Sequence, residues 1–201
     1  MNTKPGIEKW HEADGDSTLA LDWPLNEDSH VWEIGGFEGR WAQQIWDKYH
    51  CNITIFEPQA WAVERMKKRF AGISKIDIRP YGLWTHDDTL ALANFETDGA
   101  SMVSVQPDKP IGMGKFVDYF SELEDFPHAI DVALMNIEGA EYILLPEFVW
   151  SGVIMQFKNI WCQFHPDGES DDRHIAIFDQ MGKTHEMIWN CFRTAVAWRK
   201  R

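Results

Sequence analysis

Apolar positions between His30 and Phe70 fall into four runs of alternating character. Val31-Trp32-Glu33-Ile34 is a short apolar run carrying one acid, and it ends at Gly35-Gly36. Phe37, Trp41, Ile45, Trp46 and Tyr49 then recur at helical spacing. Asn52 to Phe56 is a second short apolar run, closed by Glu57-Pro58, and Trp61, Val63, Met66 and Phe70 resume the helical spacing. Strand, glycine turn, helix, strand and acid together form the pattern of a βαβ nucleotide-binding unit.

The pattern continues in the same rhythm with one interruption. Ile76 to Ile78 predicts a third strand, running on to Leu83. Residues 89–95 and 101–105 predict a pair of strands around an Asp98-Gly99 turn, a hairpin-like insertion. Residues 109–115, rich in Pro and Gly, predict a loop, and 116–123 a helix. Val132 to Ile137 predicts a buried strand, and Glu141 to Trp150 the helix after it, stopped by Ser151-Gly152. Residues 159–165 predict the next strand, ending in His165-Pro166. Asp171 to Met181 predicts a helix closed by Gly182, and residues 184–200 a terminal antiparallel hairpin joined near Asn190-Cys191. Strands alternating with helices imply an α/β domain with a mostly parallel sheet, helices on both faces and a C-terminal antiparallel hairpin. Residues 30–201 form that single domain. The mixed, polar segment 1–29 has one short helix, at 7–13, and either closes over the cleft as a lid or pads the sheet edge. Trp10 and His11 make it a candidate for substrate contact.

The glycines and the acids give the opening unit its chemistry. Gly35 allows a sharp turn out of the strand, Gly39 keeps the helix start bare, and the first helical amides favour an anion. Glu57 ends the second strand where a carboxylate accepts both hydroxyls of a ribose. The glycine pattern is not GxGxxG but Glu33-x-Gly35-Gly36-x-x-Gly39, with the acid inside it. Gly35, Glu57, Gly82, Asn136 and His165 all fall at carboxyl ends of predicted strands, where such a sheet binds its ligand.

Composition narrows the partners. The 201 residues are 44% hydrophobic, and 19 Lys+Arg stand against 32 Asp+Glu, a net charge of −13. So acidic a chain argues against nucleic acid and anionic membranes as partners. Three cysteines without a CxxC pair, Cys51, Cys162 and Cys191, give no disulfide framework or zinc site. The start lacks a signal peptide pattern and no apolar run reaches membrane length, which predicts a cytoplasmic protein. Most of the eleven tryptophans are expected in the core, and a few along an apolar cleft.

The Glu33 motif is similar to the first motif of class I S-adenosylmethionine-dependent methyltransferases. Three further stretches narrow the resemblance to the FkbM-type branch of that fold, which mostly methylates hydroxyl groups: Phe56-Glu57-Pro58, Met135 to Glu141 (MNIEGAE) and Gln163-Phe164-His165. Gly99-Ala100-Ser101 resembles a small-residue stretch of the same branch. The chain departs from the branch at Glu33, where Asp is usual, at Met135 and Asn136, where Lys and Asp are usual, and at Gln163, where Glu is usual.

The resemblance implies a Rossmann-like class I methyltransferase fold, S-adenosylmethionine as cofactor and a small-molecule or sugar acceptor, while the carboxylates lost at Asn136 and Gln163 count against a metal site, so no metal is expected. It implies that Gly35 and Gly36 hold the methionine part and that Glu33 orients either that turn or, through water, the amino group. Glu57 and Pro58 would meet the ribose, and Gly82 and Leu83 the adenine. Asn136 and Glu138 would lie beside the sulfonium and acceptor. His165 is the leading candidate for a general base, since imidazole takes a proton near neutral pH, with His86 and His174 behind it. Acids at Glu138 and Glu141 also suit a helix start. Two other readings remain: an oxidoreductase using NAD, which the missing GxGxxG counts against, and a methyltransferase-fold module that has lost catalysis, kept open by Asn136 and Gln163. Oligomeric state stays open.

Overall fold

The computed structural model describes residues 5–102, 110–165, 170–191 and 194–201. Helix α1 (Pro5–Glu12) precedes β1 (His30–Ile34), α2 (Arg40–Tyr49), β2 (Asn52–Phe56), α3 (Ala60–Arg69) and β3 (Ile76–Arg79). Three strands follow, β4 (Gly82–Trp84), β5 (Asp88–Ala93) and β6 (Ile111–Asp118), then α4 (Tyr119–Asp125). The chain ends through β7 (Val132–Met135), α5 (Glu141–Trp150), β8 (Asn159–Gln163), α6 (Ser170–Met181), β9 (His185–Cys191) and β10 (Ala195–Lys200).

The main sheet runs in the order β3-β2-β1-β7-β8-β10-β9. Pairs from β3 to β8 are parallel, while β10 is antiparallel to both β8 and β9. The chain winds outward from β1 to β3, then returns to build the other half from β7. Strand order therefore reverses between β1 and β7, and a crevice opens beyond their carboxyl ends. This is the mostly parallel sheet with a terminal antiparallel hairpin that the pattern predicts.

Period-two alternation in the strands splits the core. Trp32 and Ile34 of β1 pack with Met135 and with Leu144, Leu145 and Phe148 of α5 on one face. Val31, Ile53, Ile55, Leu134 and Trp161 pack with Trp41, Ile45, Val63 and Met66 of α2 and α3 on the other. Burying each such side chain contributes about 1.5–3 kcal/mol before the entropy of ordering is counted. Among the described residues, no helix is long and apolar enough to cross a membrane.

Several predicted boundaries change, most of all around a second, smaller sheet. The third strand stops at Arg79 because Pro80 has no N–H to continue the ladder, and Gly82 to Trp84 starts a second sheet of order β4-β6-β5. The partner of β5 is β6, whose first half was expected as loop and its last three residues as helix. Glycine misleads there: a Cβ on Gly112 would lie 2.1 Å from the Phe95 ring, so Gly112 admits a packed aromatic rather than a bend. The helix begins only at Tyr119, where the Asp118 carboxylate accepts from the Phe120 amide at 2.9 Å. Of the expected 101–105 strand, Ser101 bridges Ala93 and residues 103–105 lie outside the described residues.

The N-terminal segment is pinned by tryptophans. Trp10 stacks on Trp161 at 5.5 Å, and Trp23 and Trp189 extend the group. The Ala20 carbonyl accepts from the indoles of Trp23 and Trp41 at 2.9 and 2.8 Å.

Candidate functional site

Ile34 hands the chain to Gly35 at φ +88°, and the amides of Gly35 and Gly36 both donate to Phe56 O, at 3.0 and 3.1 Å. A Cβ on Gly35 would lie 2.1 Å from Asn136 O, so only glycine lets the turn close against the end of β7. Gly39 caps α2 beside the Phe70 ring.

Glu57 locks this turn. Its Oε2 accepts from the Phe37 amide and its Oε1 from the Gln59 amide, each at 2.7 Å. Burial pushes its carboxyl up to about 7, against those amide bonds. Glu33 stands below the turn, also buried. Burial first, and then the charge of Glu57, push its carboxyl well above the usual range, and its Oε2 has no partner. Gln59 ties in the insertion: its Oε1 accepts from the Glu96 amide at 2.8 Å and its Nε2 donates to Thr97 O at 3.1 Å.

A cavity of about 730 Å³ occupies the crevice. Glu33, Gly35, Gly36, Glu57, Pro58, Gly82, Leu83, Asn136 and Glu138 line it, whereas Gly39 and His165 do not. Gly39 serves the packing of α2 on α3. Leu92 and Phe116 of the small sheet form another wall, and Asp16, Ala20, Trp41 and Trp161 extend the cavity under the N-terminal segment. Asn136 Oδ1 is buried without a partner.

On the β7–β8 side, Glu138 takes the left-handed conformation, φ +54°, and its carbonyl accepts from Ser101 Oγ at 2.6 Å. Its Oε1 lies 3.0 Å from His165 Nε2. His165 Nδ1 lies 3.0 Å from Glu141 Oε1, which also accepts the His165 amide at 2.5 Å. Burial by itself lowers the His165 imidazole, but the bonds to Glu138 and Glu141 outweigh it and push it up to about 9. At neutral pH the ring therefore already holds the proton a base must accept. His86 lies exposed beside Asp88 at 3.5 Å and His174 meets Tyr142 Oη at 3.1 Å, and neither lines the cavity. Among the described residues, no group of three or more His, Cys, Asp or Glu could hold a metal ion.

Sequence reasoning missed Gln59, Trp41 and Trp161. Gln59 carries no motif; its one signal is its place just after the Glu57-Pro58 strand end. A few tryptophans are expected along an apolar cleft, but nothing in the sequence says which; Trp41 and Trp161 are core residues that also line the cavity.

No family model and no curated protein matches the chain. Solved structures do. An rRNA methylase from Streptococcus thermophilus aligns at 12% identity and a TM-score of 0.56, covering 100% of this chain and 98% of that one. A putative rRNA-methylase from Clostridium thermocellum aligns at 9% identity and 0.59, with the same coverage. Precorrin-6y C5,15-methyltransferase from Geobacter metallireducens aligns at 11% and 0.53, covering 94% and 88%. The chain therefore has the Rossmann-like fold of the class I S-adenosylmethionine-dependent methyltransferases. These neighbours overturn the partner expectation: proteins described as rRNA methylases share the whole fold, so neither a small-molecule acceptor nor the exclusion of nucleic acid stands. Net charge is a property of the entire surface, while an acceptor is met by one face of it.

Proposed function

We propose that this chain is an S-adenosylmethionine-dependent methyltransferase that methylates a hydroxyl group. One observation carries the reading. Residues singled out for cofactor binding from both halves of the sequence line one cavity, at the point where strand order reverses. The FEP and EGAE blocks support a place in the FkbM-type branch.

The site fits such a cofactor. Glu57 uses one lone pair of each oxygen on an amide and keeps the others for ribose hydroxyls. Asn136 Oδ1 and Glu33 Oε2 are unpartnered polar atoms that a polar ligand satisfies. Gly35 and Gly36 let backbone approach the ligand. When bound, S-adenosylmethionine supplies an electrophilic methyl group on a positively charged sulfur. Transfer needs alignment, and a hydroxyl acceptor must shed its proton. Glu138 takes the proton-acceptor role first given to His165, because it lines the cavity and His165 is already protonated.

Calorimetric titration with S-adenosylmethionine and S-adenosylhomocysteine, with NAD as control, tests the reading. We expect both sulfur compounds to bind and NAD not to. Absence of binding by either would sink it. Acceptor screening then begins with RNA, the substrate class named for two neighbours of this fold.

A further inference from the structure

The buried acid that the cavity does not reach has an unexplained geometry. Glu141 is fully buried, with no exposed surface, and it opens α5. A carboxylate in that place would serve the helix start by bonding a first-turn amide. Glu141 spends only part of its capacity that way. Its Oε2 accepts from the Gly139 amide at 2.9 Å, in the turn just before the helix. Its Oε1 reaches across to the end of β8 and takes both the backbone and the ring of His165, at 2.5 and 3.0 Å. The far nitrogen of the same ring meets Glu138 Oε1 at 3.0 Å. The backbone of Glu138 is itself held in a conformation that non-glycine residues avoid, and Ser101 clamps its carbonyl. Strain of this kind persists only where neighbours over-determine it.

We propose that Glu141 is a positioning residue: it fixes the His165 ring, and through that ring it aims the Glu138 carboxylate into the cavity. This deepens the methyltransferase reading and rests on it. In the transfer, the acceptor hydroxyl gives its proton to Glu138 as its oxygen bonds the methyl carbon. The electron pair of the broken carbon–sulfur bond stays on sulfur. A cationic donor and a carboxylate are thus replaced by a neutral thioether and a carboxylic acid, and charge balances. His165 keeps its proton throughout and acts as a fixed cation. Among the described residues, the titratable groups facing it are Glu138 and Glu141, with the Cys162 thiol beyond Glu141 on β8. Gln163 Nε2 approaches at 3.5 Å, too far for more than a weak bond.

The test needs no acceptor. The His165 ring is followed by NMR from pH 5 to 10 in histidine-labelled wild type, Glu141→Gln and Glu138→Gln, with His165→Gln assigning the resonance. Affinities for cationic S-adenosylmethionine and neutral S-adenosylhomocysteine are measured beside it. We expect the wild-type ring to titrate near pH 9. In Glu141→Gln it moves down by more than one pH unit. That variant also loses most of the preference for the cationic compound, about tenfold, while its affinity for S-adenosylhomocysteine stays within twofold. A merely structural acid would lower both affinities together. A wild-type ring titrating near 6.5, or a Glu141→Gln protein with unchanged titration and unchanged preference, would overturn the proposal. The wild-type titration decides it even where the variant fails to fold. If neither compound binds wild type, the methyltransferase reading falls, and with it the role of aiming Glu138, while the titration still shows whether Glu141 fixes the ring.

Discussion

On the β1–β2 side of the cleft, Glu33 and Glu57 are buried and take their hydrogen bonds from amides; on the β7–β8 side, Glu138 and Glu141 share one imidazole. Burial therefore decides the first side and drives both carboxyls toward their neutral forms. Partner charge decides the second side and keeps His165 cationic. The same residue type, in and around the ends of neighbouring strands, stands in two different electrostatic settings. Under the proposed function, the first side accepts hydroxyls from a ligand that brings its own positive charge. The second carries a carboxylate already oriented by a fixed cation.

The variant that should break the first side most completely is Glu57→Ala. It frees the Phe37 and Gln59 amides at once, and each buried amide left unpaired costs about 1–3 kcal/mol. It also removes the proposed ribose acceptor. We expect a lower melting temperature and at least a hundredfold loss of S-adenosylmethionine affinity, read by calorimetry. Retained affinity would show that Glu57 only ties the turn.

The first side was legible because its chemistry is local. Gly35, Gly36 and Glu57 sit at fixed offsets from two strands, and backbone geometry alone sets what they can do. The second side was only half legible. Glu138 and His165 were found by resemblance, but their relation runs between strand ends and through Glu141, whose place at a helix start offered a simpler explanation. An imidazole's protonation depends on neighbours that sequence does not place. The insertion failed for a further reason: Gly112 and Gly114 look like loop residues until Phe95 and Leu92 are seen packed on them.

Stability against pH separates the two sides. Glu57 binds its proton more tightly in the folded chain, so stability falls as pH rises from about 4.5 to about 7. The His165 contribution is complete below about 6.5 and is lost as pH rises through about 9. Each window spans about 2.5 pH units and is worth about 3.5 kcal/mol at most, at 1.4 kcal/mol per pH unit. Denaturant melts should show Glu57→Gln reducing the slope in the lower window only, where buried Glu33 contributes with the same sign, and His165→Gln flattening the upper only. If one variant flattens both windows, the two sides titrate as one network.

Ligand affinity should report the first side as well, with a smaller effect. A neutral Glu57 accepts hydroxyls less well than its anion. S-adenosylmethionine should therefore bind up to tenfold more tightly as pH rises from 6 to 8, and Glu57→Gln should abolish that slope. A slope that persists in the variant would move the titration to Glu33.

Asn136→Ala sharpens the comparison at the boundary between the sides. Asn136 Oδ1 is buried and unpartnered, so removing it leaves no broken hydrogen bond at that oxygen, unlike Glu57→Ala. The melting temperature of the ligand-free protein should shift by no more than a degree or two. S-adenosylmethionine affinity should fall several-fold, because the ligand loses the acceptor that this oxygen would supply. Thermal melts with and without the compound separate the two terms, since the ligand-induced rise follows affinity by mass action. A variant that melts lower yet shows the full ligand-induced rise would make Asn136 a structural residue of the β7 turn, and the cleft would then be read from Glu57 and Glu138 alone.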